Sequence, residues 1–100
     1  MKYKLQVKEL AVTHLIEAFS WYESQKRGLG YDFLEEWESV AKYLTQYPEN
    51  CQKRYKNFRQ AMLKRFPYLV IYEVEKNNIV IYNVINARRQ STKRYRKGNK

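Results

Sequence analysis

The chain has 100 residues, 44% hydrophobic and 30% charged, a length and balance that suit one globular domain and exclude a disordered segment. A single cysteine, Cys51, excludes an internal disulfide and any paired-cysteine metal motif. The net charge is +10 and is unevenly placed: residues 1–50 carry six Lys/Arg against eight Asp/Glu (net −2), and residues 51–100 carry fourteen against two (net +12). Cations clustered in one half of a chain favour a polyanionic partner, because steering and counterion release both reward them.

In chain order, Tyr3, Leu5 and Val7 alternate with Lys2, Lys4, Gln6 and Lys8, the period of a strand with one buried face. From Glu9 the period changes. Val12, Leu15, Ile16, Phe19 and Tyr22 recur at helical spacing and predict a helix to about Lys26. Gly28-Leu29-Gly30 reads as a tight turn. A second helix is expected from Tyr31 or Asp32, with Phe33, Trp37, Val40, Leu44 and Tyr47 on one stripe and Asp32, Glu35 and Glu36 at its positive end. Pro48 stops it. So short a connection makes the two helices an antiparallel hairpin. An irregular stretch runs to about Lys56. Strands are then expected at Arg59–Arg65, Tyr68–Glu75 and Ile79–Ile85, the last two joined by a turn at Lys76-Asn77-Asn78.

The order strand, helix, helix, three strands gives an α+β fold, with a helical hairpin across an antiparallel sheet. The expected core sets Val12, Leu15, Phe19, Phe33, Trp37 and Leu44 against Val70, Tyr72, Ile81 and Val84. Trp21 and Trp37 are assigned to the core or to packing within the hairpin. The domain is drawn as residues 1–92, with a basic tail at 93–100. From Arg88 to Lys100 there are seven Lys/Arg, no acid and no aliphatic residue.

No Gly-rich phosphate loop and no His/Cys cluster is present, so neither a metal nor a cofactor is expected. His14 is read as a surface or packing histidine, and Cys51, in a polar loop without a nearby His, is not read as a nucleophile. Residues Met1 to Lys8 lack a signal-peptide core, and the apolar runs are too short for a bilayer. The absence of a disulfide framework adds to the expectation of a soluble cytoplasmic protein without membrane partners.

Several segments together resemble a known family. Glu17-Ala18, Trp21-Tyr22-Glu23, Gly28-Leu29-Gly30 and Phe33 look like the helical hairpin of RelE/ParE toxins, the growth-inhibiting halves of bacterial type II toxin–antitoxin pairs (the plasmid stabilisation proteins). Arg65-Phe66-Pro67-Tyr68 followed by Val70-Ile71-Tyr72-Glu73-Val74 resembles their central strand. Val84 to Arg89 is similar to the end of their last strand, where a His often stands at the position of Asn86. The likeness spans roughly residues 8 to 95, and the family's fold is the α+β arrangement read from the periodicities.

The resemblance implies a small antitoxin partner, acidic and encoded next door, and one of two targets. ParE-like members poison DNA gyrase. RelE-like members cut mRNA in the ribosome without a metal, using Lys, Arg and a Tyr near the C-terminus. Carried over by position, that chemistry falls on Arg89 as phosphate-binding cation and Tyr95 as proton donor or acceptor, with Lys64 and Arg65 as further cations. The matching position after Tyr68, where the nucleases carry an Arg, is Leu69, which cannot stabilise charge on phosphorus. Arg59 or Arg65 would have to compensate. Arg59, Arg88, Lys93, Arg94, Arg96 and Lys97 are candidate contacts to nucleic acid or a protein partner. The residues therefore favour gyrase poisoning, with ribosome-dependent mRNA cleavage as the alternative and a non-toxic basic nucleic-acid-binding module as a third reading.

Overall fold

The structure is a computed structural model that describes residues 3–88. Its elements are β1 (Lys4–Val7), α1 (Glu9–Gln25), α2 (Leu29–Gln46), β2 (Lys53–Tyr55), β3 (Phe58–Met62), β4 (Tyr68–Glu75) and β5 (Asn78–Asn86). The sheet order is β1-β5-β4-β3-β2. The α+β class and the helical hairpin stand as expected. The strand content differs, because a five-stranded mixed sheet replaces the simple antiparallel one. β1, which precedes the hairpin in the chain, lies parallel to β5 (Lys4 beside Asn78, Val7 beside Ile81). A short β2, hidden in the sequence by the polar run Lys53-Arg54-Tyr55, pairs with the start of β3.

The hairpin closes through a side chain. The carboxylate of Glu23 accepts the backbone N–H of Gly28 at 2.9 Å and of Gly30 at 3.0 Å. These donors belong to the first turn of α2, where no intrahelical acceptor exists. α2 therefore begins at Leu29 rather than at Tyr31, and Gly30 is helical and buried. A methyl group at Gly30 would lie 2.7 Å from the Phe19 carbonyl oxygen, so the glycine is what lets the helices approach. Gly28 sits at φ 89°, the left-handed region.

The face that α1 buries is rotated from the expected one. Ala11 and Ala18 are buried, with Leu15 and Tyr22 packed beside them, whereas Val12 is 41% exposed and Ile16 60% exposed. Small residues are favoured where a helix is squeezed between a sheet and a second helix, so the alanines point inward and the larger β-branched side chains outward. Of the expected α2 stripe, Phe33, Trp37 and Leu44 lie buried against Val70, Tyr72, Ile79, Ile81 and Val84, with Val40 partly buried and Ala41 joining them, whereas Tyr47, at the end of the helix, is 51% exposed.

The register of β4 on β5 slips between Ile71 and Tyr72, so that Ile71 lies beside Asn83 and Tyr72 beside Ile81. This bulge changes the parity of β5. Ile79 and Ile81 face the helices before it, Val84 after it. On the other face of the sheet Phe58, Leu69, Ile71, Val80 and Tyr82 form a second apolar cluster.

Candidate functional site

β1 ends at Val7, so among the described residues no strand flanks the second half of β5 on that side. α1 takes the place of one. Lys8 donates its N–H to the Ile81 carbonyl at 2.9 Å, and further along α1 the Nδ1 of His14 accepts the Val84 N–H at 3.2 Å. His14 is thus the half-buried packing histidine the sequence suggested. Beyond it the helix and the strand diverge and leave a cleft of about 460 Å³, lined by Glu17 and Trp21 from α1, by Tyr68 from β4 and by Asn86 and Arg88 from the end of β5.

The turn that presents Arg88 is held at two points. Asn86 accepts the Arg88 N–H through Oδ1 at 2.9 Å, and Ala87 donates to the Pro67 carbonyl at 2.6 Å. Behind the cleft, Tyr22 and Tyr68 stand with ring centroids 6.0 Å apart. Burial, together with the neighbouring Tyr68, raises the pKa of the Tyr22 phenol, and Arg88 acts in the opposite direction. Arg88 therefore projects a positive field onto the aromatic wall. Trp21, assigned from sequence to the core or the hairpin contact, is instead 59% exposed and forms one side of this cleft. It lies on the flank of α1 next to Glu17, not on the Ala11–Ala18 face.

The other sequence-predicted cations do not converge here. Lys64 and Arg65 lie in the β3–β4 connection against α2, where the Glu36 carboxylate accepts both of their backbone N–H groups, that of Arg65 at 3.0 Å. The Arg65 guanidinium pairs with Asp32 at 3.5 Å. Arg59 turns its guanidinium toward the loop after α2 and donates to the Cys51 carbonyl at 2.6 Å. Arg88, Arg65 and Arg59 thus line three separate clefts. Leu69 belongs to the apolar cluster on the opposite face of the sheet and is 4% exposed. Arg89, Lys93, Arg94, Tyr95, Arg96 and Lys97 lie outside the described residues. Among the described residues no group of three or more His, Cys, Asp or Glu could hold a metal ion, and no helix is long and apolar enough to cross a membrane.

A hairpin laid on a mixed sheet, with an aromatic and cationic cleft where the last strand leaves it, has the architecture of the RelE/ParE class of toxins. Residues 5–91 match the family model of the ParE toxin of the type II toxin–antitoxin system parDE, so the chain belongs to that family. Among solved structures it is similar to one described as the chromosomal ParDE TA system from P. aeruginosa. The two share 16% sequence identity at a TM-score of 0.75, over 85% of this chain and 96% of that one, a likeness of fold. Comparison with curated proteins gives no significant match.

Proposed function

We propose that the chain is the toxin of a type II toxin–antitoxin pair that stops growth by poisoning DNA gyrase, and that a small acidic antitoxin neutralises it. The observation that carries the choice of gyrase is the surroundings of Leu69. Metal-free RNA cleavage requires a cation beside the phosphorus oxygens, a proton acceptor and a proton donor gathered at one point. At the position where the nucleases carry an Arg, this chain has a leucine packed among Phe58, Ile71, Val80 and Tyr82. Arg65, the nearest substitute in sequence, has its backbone held by Glu36 and its guanidinium beside Asp32 on α2, and Arg59 is bound to the loop at Cys51. The described cations are therefore dispersed, which favours a toxin that acts by binding.

The uneven charge supports the antitoxin part of the proposal. A partner with acidic side chains would be steered to the +12 half of the chain. The test has two arms. Purified protein added to gyrase and relaxed plasmid should block supercoiling and should be relieved by the antitoxin. Added to ribosomes programmed with mRNA, it should leave the message whole. Cleaved message with normal supercoiling would move the chain to the nuclease branch.

A further inference from the structure

We propose that the cleft between α1 and the end of β5 binds a single unstacked nucleotide, with the base on the Trp21 indole and the phosphate on Arg88. Three observations converge on it. First, Trp21 exposes 59% of its surface at a concave place rather than on an open helix face. An exposed indole at a cleft is a stacking platform, and every base has a π-face to offer it. Second, the size suits one nucleotide rather than a helix. About 460 Å³ falls within the range of small-ligand sites, roughly 300–1,000 Å³. Bases in a duplex are stacked on each other, so the ligand is a single strand or a locally opened one.

Third, the charges are ordered along the cleft. Glu17 stands one helical turn before Trp21, and Arg88 comes from the end of β5. A phosphate is repelled at the Glu17 end and attracted at the Arg88 end, which fixes the direction of the nucleotide. The Glu17 carboxylate is an acceptor for an exocyclic amino group of the base. An acidic peptide gains from Arg88 alone and is opposed by Glu17, so the arrangement favours nucleic acid. The inference extends the proposed function, since it gives the toxin its own contact with DNA, but it does not depend on gyrase.

The experiment is a titration of the full chain with a single-stranded DNA of about twelve nucleotides in mixed sequence, alongside the same sequence as a duplex. Of the two tryptophans, Trp37 is buried at 8% exposure, so quenching of the emission reports Trp21. The single strand should quench strongly and bind more tightly than the duplex. By anisotropy of a labelled strand, Trp21→Ala should weaken binding about 5- to 100-fold, while Trp21→Phe keeps most of it. Arg88→Ala should weaken binding and lower the slope of log affinity against log salt by about one. Binding without quenching, or equal affinity for Trp21→Ala, overturns the proposal. So does a poly-glutamate peptide that quenches as well as the DNA. No gyrase is present, so the result stands apart from the supercoiling assay.

Discussion

The imidazole of His14, on α1, accepts the backbone N–H of Val84, on β5, at 3.2 Å. The bond joins residues seventy positions apart and, among the described residues, stands where a strand partner would, since β1 ends before β5 reaches this point. Val84 is buried at 1% exposure, so without His14 its N–H would lose an acceptor in a place water reaches poorly. His14→Ala should cost about 1–3 kcal/mol in denaturant unfolding. His14→Asn, whose Oδ1 reproduces an acceptor near Nδ1, should recover a good part of it. Equal stability of His14→Ala and the parent chain would show that this contact holds nothing.

The two glycines of the hairpin should respond differently to the same added methyl group. At Gly28 there is open space but a left-handed backbone, so Gly28→Ala should cost about 1–2 kcal/mol. At Gly30 the methyl meets the Phe19 carbonyl and ring at 2.7–2.9 Å, which requires the helices to part. Gly30→Ala should therefore be the more damaging, by analogy with overpacked cores at about 1–3 kcal/mol or more. Thermal melts of the two variants side by side decide the order, and a milder Gly30→Ala would contradict the close approach.

The rotation of α1 yields a second contrast. Ala18→Leu forces a large side chain into the core and should destabilise by about 1–3 kcal/mol. Val12→Thr, at a half-open position, should stay within about 0.5 kcal/mol. Urea midpoints of both variants test the assignment. The opposite ranking would restore the face that the sequence pattern suggested.

That rotation also marks the limit of what the sequence makes legible. On α2 the stripe Phe33, Trp37, Leu44 is the strongest periodic signal, and it is the buried face. On α1 apolar residues occupy two faces, and hydrophobicity alone prefers Val12 and Phe19 to Ala11 and Ala18, because it cannot register how little room a packed helix has. β4 and β5 are legible as long β-branched and aromatic runs. β2 is not, since Lys53-Arg54-Tyr55 is exposed and pairs only through its backbone. The bulge at Tyr72 depends on pairing between strands, which no single segment encodes. Of the site, Arg88 was visible as part of a basic run. Trp21 reads as a core residue, because a tryptophan on a helix is more often packed than exposed, and its 59% exposure depends on the tertiary cleft. The spacing of five and seven residues from Glu23 to Gly28 and Gly30 is the one local signal of the α2 cap.

Alkaline pH should unfold the protein through its buried phenols. The Tyr72 hydroxyl is fully buried and donates to the Pro48 carbonyl at 2.7 Å. Burial first, then the neighbouring Cys51, raises its pKa above the ordinary value of 10.0. The Tyr82 phenol is raised by burial and by Glu73 and Glu75. Between the unfolded and folded values the native state holds protons that the unfolded state has lost. Stability is therefore fully present below about pH 10 and falls as pH rises beyond it. Tyr72→Phe should lower stability at neutral pH by about 1–3 kcal/mol, through the orphaned Pro48 carbonyl, and should make the alkaline decline shallower. An unchanged alkaline slope in Tyr72→Phe would remove Tyr72 from the account.

The assignment to gyrase rests on the dispersal of the cations and on Leu69, and one paired measurement tests it most directly. Equal amounts of the protein are added to a gyrase supercoiling reaction and to ribosomes programmed with mRNA. The account predicts blocked supercoiling with accumulated gyrase-cleaved DNA, relieved by the antitoxin, and intact message. Normal supercoiling together with message cut on the ribosome, and cutting lost in Arg89→Ala and Tyr95→Phe, would contradict it.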